Sequence, residues 1–430
     1  MKQKYHLLFS GIILIALTFG SCSHQSEITV GRLSCNFREQ PLGVETQAPL
    51  LGWQLKSSGS NLVQSAYHII VAETPKDLDE NNGSVWDSGQ IDSDQSINVQ
   101  YKGKKLEPGK RYFWKVRIWD GNGKESSWSE PAEWQMGLLS KSDWHNAKWI
   151  AYEQMDSALL LVPGIHGSGD NLGEKAVKRP IVPLFRKSFN SAKNLTSATL
   201  SISGLAHYEA SLNGEKVGDS FLSPGWTDYD KTILYNTYNV TSQIRTGENV
   251  LGAVVGNGFY NINRERYRKL VITQGMPKLI AHLRLEYSDG KSQTIVTDES
   301  FKTSPSPLTY TSIFGGEDYD ANLEQNGWDE PNFNDSGWSP VIVAKDPAGE
   351  LHAEQDYPLK EMERIEVKSV SKLQDGSYLY DFGQNASGIV ELQVKGKNGQ
   401  EVTLWPQNSS IPTVRQTNAP RGNPIRFPIP

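Results

Sequence analysis

Almost no stretch of this chain repeats its apolar residues at the helical period. Short runs in which apolar and polar residues alternate, each bounded by Gly, Asn, Asp or Pro, recur instead from Ile28 to Leu404. Successive side chains on a strand point to opposite sides, so each run gives one face to a core and one to water. The pattern predicts an all-β chain of packed sheets. The plainest strands are Ala66-Tyr67-His68-Ile69-Ile70-Val71-Ala72 and Tyr112-Phe113-Trp114-Lys115-Val116-Arg117-Ile118-Trp119, the second placing Tyr112, Trp114, Val116 and Ile118 on one face. The turn Asp120-Gly121-Asn122-Gly123 follows at once.

A length of 430 residues exceeds one ordinary domain and predicts two to four units of roughly 100–200 residues. With Trp53 upstream and Ser126-Ser127-Trp128-Ser129 downstream, the strands above fill the space of one fibronectin-type-III or immunoglobulin-like sandwich, placed at residues 27–138. A second module, residues 139–345, opens on Asp143-Trp144-His145 and contains strands at 198–203, 208–212, 250–255 and 278–287, with hairpin turns at Asn213-Gly214 and Asp289-Gly290. It closes on a segment holding Trp328, Phe333 and Trp338, rings suited to capping a sandwich core, and is read as a jelly-roll of the carbohydrate-binding kind. The Gly- and Pro-rich stretch 162–183 is expected to be a long loop. Its Gly167, Gly169 and Gly173 follow no parallel strand and precede no helix, so they are not read as a phosphate cradle. A third set of strands, including 378–382 and 388–394, begins a further sandwich at 355–404 that is cut short. The tail 405–430 ends in a Pro-rich run that a strand ladder is expected to reject.

The first 22 residues stand apart. Lys2 and Lys4 precede an apolar run from Leu7 to Phe19, too short to span a bilayer permanently, and Thr18-Phe19-Gly20-Ser21-Cys22 resembles the lipobox of bacterial lipoproteins. Export with Cys22 acylated, and membrane attachment through that lipid at the cell surface or in the periplasm, is the expectation; an ordinary cleaved signal is the alternative. Only Cys35 then remains, so no intramolecular disulfide supports the fold. A net charge of −6 without clustered Lys and Arg argues against nucleic acid as a partner.

Taken in order, Trp86-Asp87-Ser88-Gly89, Tyr112-Phe113-Trp114-Lys115-Val116-Arg117, Phe221-Leu222-Ser223-Pro224-Gly225-Trp226-Thr227-Asp228-Tyr229, Gly256-Asn257-Gly258-Phe259-Tyr260, Gly316-Glu317-Asp318-Tyr319-Asp320-Ala321 and Tyr380-Asp381-Phe382-Gly383-Gln384-Asn385 resemble segments of bacterial α-L-rhamnosidases. Each block alone is weak; their order over residues 27–404 is specific. Members of that family remove terminal L-rhamnose from plant glycans and glycosides, so the resemblance implies rhamnose-containing glycans or plant polysaccharide as partners. It also implies that the acid and base carboxylates belong to a later (α/α)6 barrel, set about 6.5–9.5 Å apart for an inverting reaction. No such helical sequence is present and no catalytic residue is assigned here. The departure near Trp405 suggests a frameshift, a premature stop or an incomplete gene, and a chain inactive by itself. A stand-alone glycan-binding surface lipoprotein and a structural spacer are the rival readings.

Sugar recognition needs a flat ring for the C–H face and carboxylates or amides for the hydroxyls. Trp226, Asp228, Tyr229 and Asp230 form the leading candidate, against the plainer reading that Trp226 fills the core and the aspartates cap turns. Glu317 and Asp320, with Asp318 and Tyr319, form a second; structural hydrogen bonding is the plainer reading, and three acids in four residues also suit Ca²⁺. Glu317 and Asp320 are rejected as a catalytic pair, because a spacing of three on a strand or loop does not fix their separation. The histidines show no zinc spacing, no other cofactor is implied, and no Gly-x-Ser-x-Gly elbow occurs.

Overall fold

Alternation of the kind just described becomes two face-to-face sheet pairs in the computed structural model, which describes residues 28–397 and 400–404 and the backbone of the strand Ile425–Pro428. The α-helices among the described residues are single turns, Pro75–Asp79 and Glu174–Val177. Contacts divide the chain into two units, residues 1–139 and 140–430.

In the first unit Arg111–Asp120 lies antiparallel between Gln64–Ala72 and Ala132–Gln135, and Trp86–Asp87 and Ile91–Asp92 both pair with the far side of Gln64–Ala72. Thr29–Cys35, Leu50–Lys56 and Val99–Gln100 form the second sheet. Tyr112, Trp114, Val116 and Ile118 are buried on one face as the alternation requires, packed with Leu51, Trp53, Ile69, Val71 and Trp134. Each fully buried aliphatic side chain of this set contributes about 1.5–3 kcal/mol. Ala132–Gln135 accompanies the central strand only as far as Trp114. Beyond it, the Val116 and Ile118 amides donate to the Ser129 and Ser126 hydroxyls at 3.1 and 3.0 Å, so the serines around Trp128 finish the edge where the ladder stops. Cys35 is a free thiol in the core, and burial pushes it up to about 12.

The second unit pairs a six-stranded sheet with a seven-stranded one. The first runs Glu215–Lys216, Tyr208–Leu212, Gly247–Val255, Pro183–Ser191, Lys302–Pro305, Ser339–Pro340. The second runs Ile342–Val343, Ile150–Ala151, Lys278–Tyr287, Leu195–Leu205, Thr232–Asn239, Glu350–Ala353, with Ser292–Val296 beside Lys278–Tyr287. Phe185, Leu200, Ile202, Leu212, Val255, Leu283 and Leu285 fill the space between them. Asn213 and Gly214 both take positive φ, 54° and 83°, as the tight hairpin between Tyr208–Leu212 and Glu215–Lys216 demands. The Trp328–Trp338 region caps this sandwich through Arg186: the buried guanidinium donates to Asp335 Oδ2 at 2.7 Å and to the Trp328 and Glu330 carbonyls, under the Phe333 ring.

Three expectations are corrected. The stretch 162–183 is not all loop, because Leu161–His166 finds an antiparallel partner in Leu270–Thr273, and Gly167, Gly169 and Gly173 turn the chain with positive φ beside it. Residues 388–394 form no strand; they lie exposed, and among the described residues no neighbour supplies a ladder. The Pro-rich tail does pair: Ile425–Pro428 runs antiparallel to Glu401–Leu404, and Pro428 sits at the end of a two-stranded ribbon, where a missing N–H is tolerated. The strand expected at 378–382 forms as Tyr378–Asp381; its partner Ser369–Lys372 was not foreseen, and both strands are exposed.

One buried histidine, His282, makes the second unit sensitive to acid. His145 Nδ1 contacts both the Asp143 carbonyl at 2.9 Å and His282 Nε2 at 3.0 Å. A carbonyl only accepts, so the proton lies on His145 Nδ1 and His282 Nε2 is an acceptor, neutral in the sheet. Burial, then the nearby charges of His145 and Arg284, lowers His282 to about 4, with Asp143 opposing. Between about pH 6.5 and about 4 the unfolded chain therefore binds a proton that the folded one refuses. Stability is full above that window and declines as pH falls through it, by on the order of 3 kcal/mol. Urea midpoints of the wild-type chain should fall across this window, and His282→Gln should flatten the fall; an unchanged slope in the variant would dismiss the histidine as its source.

Candidate functional site

At one place in the second unit, turn-forming sequence brings rings to the surface. Trp226 stacks on Phe259 with centroids 4.5 Å apart and planes at 16°, Phe259 meets Phe314 edge-on at 5.7 Å, and Phe314 stacks on Tyr267 at 4.3 Å. Three separate segments thus supply one row of four rings, in which Trp226 is 61% exposed and Phe314 44%.

The loops are tied from below. The Gly225 amide donates to Glu354 Oε1 at 2.9 Å, Asn236 Nδ2 donates to the other carboxylate oxygen, and His207 contacts the Pro224 carbonyl through Nδ1 at 3.1 Å, which holds the approach to Trp226. Thr227 Oγ1 donates to the Thr232 carbonyl and closes the turn. The Asn257 amide and side chain both bond Thr311, at 3.0 Å each to its hydroxyl and its carbonyl, and so fasten the Phe259 loop to the strand Leu308–Ser312. Gly258 takes φ +45°, and a Cβ there would stand 2.5 Å from Ala206 Cβ and 2.8 Å from the His207 ring, so only glycine lets this loop approach. Tyr310 lies buried between the guanidinium groups of Arg179 and Arg266, at 4.8 and 4.5 Å, and those are paired with Glu265 and Asp318. The platform is therefore held by charge, stacking and hydrogen bonds together. Three buried polar atoms around it, His207 Nε2, Asn257 Oδ1 and Asn261 Oδ1, have no protein partner.

The sequence candidates separate. Trp226 does not fill the core; it is the exposed end of the ring row. Tyr229 is buried edge-on to Tyr260 at 5.5 Å, and burial pushes its hydroxyl above the ordinary tyrosine range. Asp228 caps its own turn, accepting from the Asp230 amide at 3.3 Å and pairing with Lys231 at 2.8 Å, which holds its carboxyl low. Asp230 is exposed beside it. Glu317 lies on the hairpin whose turn carries Phe314; burial of its carboxyl, reinforced by the charge of Glu209, raises its pKa although the residue as a whole is exposed. Asp320 caps the turn Ala321–Leu323 through the Asn322 amide at 3.0 Å. These acids do not fit Ca²⁺: Asp318 is engaged by Arg266, Asp320 by its cap, and among the described residues no three metal-ligating side chains converge. Phe259, Tyr267 and Phe314 were not singled out as site residues. An aromatic flanked by glycine in a turn, as in Gly258-Phe259 and Phe314-Gly315-Gly316, was the available signal.

Comparison with known proteins places this architecture. Residues 30–140 match the Rha78A-like N-terminal immunoglobulin domain, 193–363 the alpha-L-rhamnosidase N-terminal domain and 371–408 the bacterial alpha-L-rhamnosidase concanavalin-like domain. An alpha-L-rhamnosidase of Formosa agariphila is 36% identical over 413 residues, which is 94% of this chain and 43% of that protein. The structure of alpha-L-rhamnosidase from Dictyoglumus thermophilum superposes with a TM-score of 0.72 at 37% identity, over 84% of this chain and 39% of that one. The Streptomyces avermitilis enzyme complexed with L-rhamnose gives 0.75 at 25% identity, over 90% and 52%. The fold and these matches define a tandem of β domains of the glycoside hydrolase class. By those amino-terminal β domains the chain belongs to the α-L-rhamnosidase family, and it spans about half or less of the length of these relatives.

Proposed function

We propose that this chain forms the amino-terminal β portion of an exported α-L-rhamnosidase that hydrolyses terminal α-L-rhamnose from glycans, with the reacting groups supplied outside residues 28–404. The succession of matched domains along residues 30–408 carries this reading. Inverting hydrolysis asks for a proton donor and a water-activating carboxylate about 6.5–9.5 Å apart across a sugar. Four carboxylates around the ring platform have other work: Asp228 and Asp320 cap turns, Asp318 is ion-paired, and Glu354 anchors the Gly225 loop. The 430-residue chain alone is expected to release no chromophore from an aryl α-L-rhamnoside above the uncatalysed rate; turnover near the ordinary enzyme scale of about 1–10³ s⁻¹ would refute this.

A second reading, a glycan-binding surface lipoprotein, draws on the exposure of Trp226 and Phe314 in a rigid ring row, the form a sugar-stacking platform takes. If it holds, calorimetric titration with rhamnose-bearing oligosaccharides gives saturable heat that Trp226→Ala weakens about five- to tenfold, from the loss of a stacking contact worth ~1–1.5 kcal/mol. Both readings include attachment through Cys22, which lies outside the described residues. Cys22→Ser should move the chain from the membrane fraction to the soluble one and abolish labelling by radioactive palmitate.

A further inference from the structure

The first unit carries an open groove of about 430 Å³, lined by Tyr67, Trp86, Asp87, Ile91, Asn98, Gln100 and Lys102 among others. It lies on the flank of the sandwich where the border strands of the two sheets face each other, Trp86–Asp87 and Ile91–Asp92 from one and Val99–Gln100 from the other. Its volume falls within the roughly 300–1,000 Å³ of small-molecule sites. The aromatic part is fixed: Trp86 stands edge-on to Tyr101 at 5.2 Å and packs over Gly103, where a Cβ would come within 2.5 Å of Trp86 Cβ. Tyr67 is 8% exposed, and its hydroxyl makes no hydrogen bond to any described residue. The side chains of Asn98, Gln100 and Lys102 likewise have no partner among the described residues. A phenol hydroxyl that opens onto the groove and three exposed polar side chains, none bonded to a described residue, give the groove hydrogen-bonding groups that a polar guest can engage.

The character of the guest follows from the lining. One carboxylate and one ammonium balance, which gives no net attraction for a polyanion. Burial would raise Asp87, but the Gly89 amide, the 2.6 Å bond from His68 and the charges of His68 and Arg117 outweigh it and keep the carboxylate ionised, an acceptor at neutral pH. Amides both donate and accept, the indole offers a flat face and an N–H, and Ile91 adds an apolar edge. We infer that this groove is a binding subsite for a neutral saccharide, separate from the ring row around Trp226 and independent of hydrolysis.

The test uses the full 430-residue chain carrying Trp226→Ala, so that the ring row is silenced, labelled with ¹⁵N at tryptophan. Titration with the neutral disaccharide α-L-rhamnosyl-(1→6)-D-glucose should shift the Trp86 indole signal, assigned by its loss in Trp86→Phe, in a saturable way. A galacturonic acid disaccharide should bind more weakly. Asn98→Gly, which keeps the backbone at its positive φ of 57°, and Gln100→Ala, both on exposed positions, should each weaken binding by up to about tenfold, the effect of one hydrogen bond. No saturable shift with the neutral disaccharide, equal affinity in the Asn98 and Gln100 variants, or preference for the acidic disaccharide would each overturn the assignment. None of these outcomes depends on whether the chain cleaves rhamnosides.

Discussion

Water-driven closure of sheet on sheet holds each unit together, and the candidate sites are arranged at its margins. Among the described residues there is one cysteine, and it is a free, buried thiol, so chain-entropy restraint from a disulfide plays no part. Instead Trp114, Trp134 and Tyr112 in the first unit, and Phe185, Leu200 and Leu283 in the second, give continuous apolar interiors from strands that alternate faithfully. A core built this way leaves its rims free to vary. The ring row and the groove both occupy such rims, one where three loops gather and the other where two sheet borders fail to meet.

The strands were legible because their apolar period has one reading. Tyr112, Trp114, Val116 and Ile118 name the inner face of their strand outright, and Asn213-Gly214 names a turn that only residues tolerant of positive φ make. The pairing of Leu161–His166 with Leu270–Thr273 was hidden because the strand has little alternation of its own and depends on a partner about a hundred residues away. The opposite failure befell 388–394, where the period is good and no ladder receives it. Ile425–Pro428 shows the same lesson at a proline: position within the ribbon, rather than the residue, decides whether an N–H is needed.

At the candidate site the segment was readable but the roles within it were not. Trp226 and Tyr229 stand three residues apart in one turn, and the first is presented to solvent while the second is buried. That difference arises from Phe259 and Tyr260, which arrive from another loop and take one ring each, so no local pattern contains it. The acidic residues were equally ambiguous in sequence, since an aspartate capping a turn and one awaiting a hydroxyl have the same neighbours in the chain.

The pairing of Thr232–Asn239 with Glu350–Ala353 is parallel, unlike the antiparallel pairs around it, and it joins segments far apart in the chain. Such a contact has a high entropic threshold, since a long excursion must be closed before any hydrogen bond rewards it. As the chain emerges from the ribosome, the first unit has every strand it needs by Gln135, whereas the jelly-roll keeps an unpaired border until Ala353 has appeared. For that interval of more than two hundred residues the front domain is finished and its neighbour is not. Helpers that shield raw strand borders would find their substrate in the second unit.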